Sequence, residues 1–368
     1  MRTTPLHDFF ARAGAKFRDR HGVETVDIVS TPEKEYGLVR DAVALSDASC
    51  MQVFRIPEAG AVEILDPLLA GNVARTRFGR ILHTFLADED GMLAADCYVA
   101  NNDDEFLLIC ESIVDDASIR ELFMGHGGRE AGMEDLTATH AMLSLDGYKA
   151  WAVAKEVFGA DILGLPYLSV ETCSFGGEKV RLFRTGKTSE FGYLILVSRE
   201  KADELAGALA ASVEKQGGGL CGVAIHNDLR LEGRFFNIFS EGAIVRDPLS
   251  LGIQWMIDFD KPAFRGSEAI LRRREAGIAQ KIVGVRVAPG QALAADMPLF
   301  DDGVEIGRVV MACTSHILGC RMGLAILSAA TAYAGLRFHL GTATGPEIQT
   351  ISMPPIMPKS ISVKLDEM

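Results

Sequence analysis

The sequence predicts an α+β fold that ends in a small all-β unit. Three observations carry this expectation. Helix-start signals and amphipathic spacing recur through residues 1–275. Residues 81–110 alternate as a β-meander with acidic turns. From residue 280 the chain changes to short strands separated by tight turns, which reads as a barrel.

The 368 residues suit roughly two or three domains, each with its own core. Hydrophobic residues make up 48% and charged residues 24%, the balance of a globular protein. A formal charge of -13 argues against a nucleic-acid partner, because phosphate binding wants a basic surface. A local arginine cluster can still hold an anionic ligand. No apolar run reaches the roughly 18 residues of a membrane span, and no apolar signal-peptide core follows Met1 to Pro5. The seven cysteines form no CxxC pair, so neither a disulfide framework nor a zinc site is expected. The expectation is a cytoplasmic protein without structural metal.

Taken in order, Thr4 as N-cap and Pro5 at the first helical position predict a helix start. Thr31 and Pro32 repeat the signal, and Leu38, Ala42 and Leu45 follow at helical spacing. Residues 51–56 alternate as a strand, and 61–69 read as an amphipathic helix. Strands are expected at 81–87, 92–100 and 106–110. A helix follows at 114–123, a loop at 125–132, a strand at 142–145 and a helix at 147–157. Strands at 175–183 and 193–197 precede a helix over 199–213, which the glycines at 217–219 break. Residues 222–232 read as helical, and 264–273 as a helix with arginines suited to its C-terminal dipole. Barrel strands are expected at 281–287, 298–300, 305–313 and 324–327, with a frayed end beyond Met357.

Three stretches carry chemistry. Residues 91–100 form an apolar strand with one carboxylate, Asp96, in its middle. An ionised Asp is rarely buried alone. Either backbone and hydroxyl donors satisfy it, or it lines a cavity and acts there. Residues 184–193 contain Thr-Gly-Lys-Thr, which imitates a phosphate loop. The first glycine of that motif is missing and a strand follows, so a polar hairpin turn is the plain reading. In residues 227–233, Asp228, Arg230 and Glu232 alternate with leucines, which by default is a solvated face. If the stretches meet, Glu190 offers two acceptors to an amino-pyrimidinone edge. Arg230 then offers a fork to a carbonyl or carboxylate.

These stretches, in this order, resemble the aminomethyltransferase family, which includes the T-protein of the glycine cleavage system and its folate-dependent relatives. Residues 4–9 and 14–16 are similar to the family's opening segment. Residues 45–51 are similar to its LFDVSHM, with Cys50 in place of the His. Residues 91–100 are similar to GGILDDLIVY, which puts the family's catalytic Asp on Asp96 and Ala95 in place of the preceding one. Residues 184–193 are similar to RTGYTGEDGF, which puts the pterin-binding Glu on Glu190 and Lys187 in place of a Tyr. Residues 228–232 look like DTLRLEAG, with the folate-site Arg on Arg230. Residues 253–266 and 301–309 are similar to GLGWTVKLDKDFIG and DDGEEVGRVTSG.

The resemblance covers nearly the whole chain and implies a three-lobed cloverleaf. Residues 1–275 would form two α+β lobes, the second at roughly 50–137, and residues 281–360 a C-terminal β-barrel, around a central folate funnel. It implies one-carbon transfer to tetrahydrofolate, with Asp96 at the reacting nitrogen. Glu190, Arg230 and Lys187 would hold the cofactor, and Tyr98 or Phe236 would cover its ring. The departures at Cys50, His83, Ala95, Lys187 and 235–236 favour demethylation of a small O- or S-methyl donor to give 5-methyltetrahydrofolate. The competing reading is a glycine cleavage T-protein, whose partner is a lipoyl carrier protein. A third is a folate-binding protein without transfer chemistry. His83 would serve a departing ether or thioether as a proton donor, where the plain alternative is a satisfied histidine on a strand.

Overall fold

The structure is a computed structural model that describes residues 2–364. An 11-stranded mixed sheet runs through the first two lobes and a closed six-stranded barrel follows, so the fold is α+β as expected. One half of the sheet contains Ala44–Asp47, His140–Asp146, Gly192–Ser198, Glu178–Arg184 and Ser169–Phe175. Helices Ala150–Phe158 and Arg199–Lys215 pack on it, and Leu143, Ile195, Leu205 and Leu209 share its core. The other half contains Arg80–Ala87, Leu93–Asn102, Glu105–Ser112 and Gln52–Pro57. It encloses a second core with Phe54, Leu65, Val99 and Phe123. A single pair, Ser169 opposite Arg80, joins the halves. The barrel strands from Gln280–Val287 to Glu347–Ile351 close around Val285, Leu299 and Leu327. Each fully buried Leu or Phe in these cores contributes about 1.5–3 kcal/mol.

The meander sets the site. Its strands pair so that Asp96 lies opposite both Phe85 and Glu111, and His83 lies opposite Tyr98. Side chains alternate across a sheet. His83, Asp96, Tyr98 and Glu111 therefore share one face, while Ala95, Cys97, Val99 and Cys110 point into the second core. The turn before this strand needs Gly91. It has φ +69°, and an added Cβ would fall 2.8 Å from the Gly266 carbonyl and 2.7 Å from Ile270.

Several local expectations are corrected. Thr4 does not cap the first helix, which runs His7–Arg12; its hydroxyl donates to Asp47 at 2.5 Å. Thr31 does cap Pro32–Asp41, but that helix stops before Ala44–Asp47, because that strand takes Leu45 into the core. The expected 61–69 helix is Glu58–Leu65. The single strand at 175–183 is a hairpin, Ser169–Phe175 and Glu178–Arg184, turning at Gly176 and Gly177. Sequence reading missed the hairpin Lys16–Arg20 and Val23–Ile28 and the last two barrel strands, Arg337–Leu340 and Glu347–Ile351. Of the expected frayed end beyond Met357, Lys359–Ser362 forms a 3-10 turn, while residues 365–368 lie outside the described residues. Residues 228–232 are no solvated face: Arg230 and Glu232 are buried. Glu232 accepts from Tyr36, Arg40 and Ser315, tying the first lobe to the barrel.

Among the described residues, no helix is long and apolar enough to cross a membrane, and no group of three or more His, Cys, Asp or Glu is placed to hold a metal.

Candidate active site

Asp96 sits at the centre of a buried ion network. His83 Nε2 lies 2.7 Å from its Oδ1, and Lys187 Nζ lies 2.5 Å from its Oδ2. Lys187 also reaches Glu111 Oε2 at 2.5 Å. Glu111 in turn takes a bidentate pair from Arg230, at 2.8 and 3.1 Å. The sheet explains why this cluster needs its cations. Register forces the two carboxylates onto directly opposite positions, where like charges repel. The Lys187 ammonium between them resolves the conflict.

Electrostatics follow the geometry. Burial pushes Asp96 up, but Lys187 and then His83 outweigh it and hold the carboxyl below its usual range. Burial likewise opposes Glu111, and Arg230, Lys187 and Arg20 overcome it by a wide margin. Burial lowers Arg230, yet Glu111 raises it further above its ordinary value. Both carboxylates are therefore ionised at neutral pH. An ionised Asp96 assigns the Nε2 proton to His83.

The structure brings Asp96, His83, Lys187, Tyr98 and Arg230 together. The Tyr98 ring lies 4.4 Å from His83 and 5.3 Å from the Lys187 ammonium. Glu190 faces elsewhere. Its carboxylate accepts from Arg40 at 3.4 Å and from the backbone N–H groups of Lys359 and Ser360 at 3.1 and 2.9 Å. Phe236 is packed in a core with Phe85, Ile238 and Met256.

Two groups escaped the sequence reading. Glu111 was legible in principle. Asn102 pairs with Glu105, and counting equally along both strands from that pair brings Asp96 opposite Glu111. Arg20 was not, because it reaches the site from a separate hairpin and lies 3.8 Å from Glu111.

Outside the network, His83 lines an open cleft of about 790 Å³ with Trp255, Met256 and Phe259. Trp255 is 63% exposed and meets His83 edge-on at 5.4 Å. Arg75, Arg77, Arg80 and Arg274 lie on the same walls. The volume suits a ligand of cofactor size. Asp258 and Asp260 lie there too, and Arg75 pairs with Asp258 at 3.1 Å, which leaves Arg77, Arg80 and Arg274 beside the aromatic walls for a flat heterocycle that carries a diacid tail. Arg230 Nε, which lies in the Asp96–Glu111 network and not on the cleft wall, is buried without a hydrogen-bond partner among the described residues. The donor set thus fits tetrahydrofolate.

Comparison with known proteins agrees with this geometry. The family model described as the GCVT N-terminal domain matches residues 6–261. An aminomethyltransferase of Halothermothrix orenii is 27% identical over 328 residues, covering 88% of this chain and 91% of its own. One from Bacillus pumilus is 28% identical over 338 residues, covering 91% and 93%. The crystal structure of glycine cleavage system aminomethyltransferase T from Bartonella henselae superposes with a TM-score of 0.82. That match has 21% identity and covers 97% of this chain and 98% of that one. The match over most of the chain settles its kinship: this protein belongs to the GCVT family, the tetrahydrofolate-dependent transferases of the aminomethyltransferase type.

Proposed function

We propose that the protein moves a methyl group from a small methylated compound to tetrahydrofolate, giving 5-methyltetrahydrofolate. The observation that carries this reading is the clamping of Asp96 on both oxygens, by Lys187 and His83. A carboxylate held that way is a weak base. It acts as an electrostatic anchor, while the proton-carrying group beside the cleft is His83.

Bound tetrahydrofolate supplies the nucleophilic nitrogen that accepts the one-carbon unit. Trp255 and Tyr98 flank His83 and would hold the ring, with the cleft arginines toward the diacid end. Asp96 orients His83 through Nε2. His83 then accepts or delivers a proton at Nδ1, which a neutral ether or thioether leaving group requires as it departs. Lys187 keeps Asp96 and Glu111 ionised together, which fixes the imidazole during that transfer.

A second reading is aminomethyl transfer from a lipoyl carrier protein, with release of ammonia. The relatives from Halothermothrix orenii and Bacillus pumilus, both named aminomethyltransferases, favour it. Folate binding without transfer is the third reading.

One experiment separates them. The purified protein and tetrahydrofolate are given methyl ethers, thioethers and sulfonium compounds in one arm and aminomethylated lipoyl carrier protein in the other. The folate product is then resolved by chromatography. 5-Methyltetrahydrofolate is the expected product. Methylenetetrahydrofolate with ammonia refutes the proposal in favour of the second reading. Folate binding with neither product supports the third.

A further inference from the structure

The stretch over residues 253–266 contains a buried cation that the Asp96 network does not use. Lys261 follows directly on the cleft residues Trp255 to Asp260, yet its side chain is only 1% exposed and stands behind the cleft lining. Its ammonium donates to the backbone carbonyls of Asp66, Leu69 and Gly71 at 2.6, 3.0 and 2.9 Å, and it lies 3.0 Å from the Asp66 carboxylate. These acceptors belong to the chain just past helix Glu58–Leu65. That chain curls so that three carbonyls converge on one point. Such a concavity suits a compact cation with three donors, which a lysine ammonium is and a planar guanidinium is not. Asp66 turns its carboxylate to the same spot and also accepts from the Val73 N–H at 2.7 Å.

The two segments joined in this way are facing walls of the cleft. One wall contains Gly71, Asn72 and Arg77, the other Trp255, Met256 and Phe259. Each is a loop with one short 3-10 turn, Val73–Arg75 and Gln254–Met256, and neither is a strand of the sheet. The other links between them are single bonds. The Asp258 N–H donates to the Ala70 carbonyl at 3.0 Å, and the Arg265 N–H to Pro67 at 2.9 Å. Thr84 accepts from the Gly71 N–H at 2.7 Å and reaches the Met256 carbonyl at 3.4 Å. Asn72 and Arg75 meet the Asp258 carboxylate at 2.9 and 3.1 Å. Arg75 is 72% exposed, and an ion pair so exposed contributes little. Removing the Lys261 ammonium instead takes a charged donor from four oxygens at once. Met256 and Ile257 are buried beneath this loop with Phe85, whereas Trp255 stands out of that core against His83.

We infer that Lys261 is a positioning residue for tetrahydrofolate. It sets the width of the cleft by tying the loop that carries Trp255 to the loop that carries Asn72 and Arg77. It touches no ligand and acts through the place it gives Trp255. The inference rests on the reading that this cleft holds the cofactor, whichever one-carbon donor the protein uses.

The chain has two tryptophans, Trp151 and Trp255, so Trp151→Phe leaves Trp255 as the single reporter. Trp151 lies in helix Ala150–Phe158, away from the cleft lining. In that full-length parent, Lys261→Gln keeps two N–H donors without the charge, and Asp66→Asn keeps the lysine but weakens one of its partners. Two quantities are measured without oxygen. One is the Kd of tetrahydrofolate, from quenching of Trp255 emission. The other is the time-resolved anisotropy of Trp255 in the ligand-free protein. Tetrahydrofolate is expected to quench Trp255 in the parent. Lys261→Gln should raise its Kd about tenfold or more, as loss of preorganisation does, and add a nanosecond component to the anisotropy decay. Asp66→Asn should shift both in the same direction by less. Leu205→Ala, which opens a hole in the first core, lowers global stability and should change neither. A folded Lys261→Gln protein with parent-like Kd and anisotropy overturns the inference alone. A parent-like Asp66→Asn protein does the same if Lys261→Gln does not fold. An equal rise of Kd in Leu205→Ala also overturns it, because the loss then follows stability. Tetrahydrofolate that binds by equilibrium dialysis without altering Trp255 emission overturns the cleft reading and the inference together.

Discussion

Replacing Lys187 with Met leaves Asp96 and Glu111 facing each other across adjacent strands without the ammonium between them. Each carboxylate has an oxygen 2.5 Å from the same Nζ, so those oxygens lie within about 5 Å of each other. At an effective dielectric of about 20, two unit charges at that separation repel by about 3 kcal/mol. Removing one partner from a buried pair commonly costs about 3–5 kcal/mol, so a loss of about 3 kcal/mol is expected at pH 8.5. The pH dependence gives a sharper signature. In the unaltered protein both carboxyls are held below their unfolded values. Their stabilising contribution is therefore full above about pH 4 and lost as pH falls through the lower folded values. In Lys187→Met, Glu111 keeps Arg230, so Asp96 is the group driven upward. The native variant then binds a proton that the unfolded chain does not, and its stability rises as pH falls. Urea unfolding from pH 5.5 to 8.5 reads this directly. The deficit should narrow by at least about 1 kcal/mol at the acid end. A deficit below about 1 kcal/mol with no pH dependence refutes the role assigned to Lys187, and Lys187→Arg should lie near the unaltered protein.

His83→Asn should lower the rate with neutral ether or thioether donors by about 10²- to 10⁴-fold. Steady-state assays should show a much smaller loss with sulfonium donors, whose leaving group needs no proton. Asp96→Asn removes one of the two depressed carboxyls, so acid unfolding below about pH 4 should be shallower than in the unaltered protein, read by circular dichroism. Gly91→Ala places a Cβ against the Gly266 carbonyl at positive φ and should cost at least about 1 kcal/mol in urea denaturation.

How much of this was legible beforehand differs by element. Pro32–Asp41 was readable because Thr31 caps it and Pro32 starts it, both local effects. The meander was readable because its turns and alternation sit within thirty or so residues of chain. The Ser169–Phe175 and Glu178–Arg184 hairpin was not, because its alternation is interrupted by a two-glycine turn that reads as a mild kink. The first helix misled because Thr4 is drawn to Asp47, 43 residues away.

The sequence by itself determined the class of fold, the family and the place of Asp96 in an apolar strand. These rest on period, turn chemistry and ordered motifs, all of which are written along the chain. Only the tertiary structure decided what surrounds that carboxylate. Lys187 arrives from the turn after Glu178–Arg184, Arg230 from the helix Val223–Gly233 and Arg20 from the first hairpin. Charge pairing is set by distance in space, and a dielectric interior makes a few ångströms decisive. That is why Lys187, which looks like a polar turn residue in the sequence, turns out to be the cation that neutralises the site. For the same reason Glu190 is drawn to the Lys359–Ser362 turn instead of the Asp96 cluster.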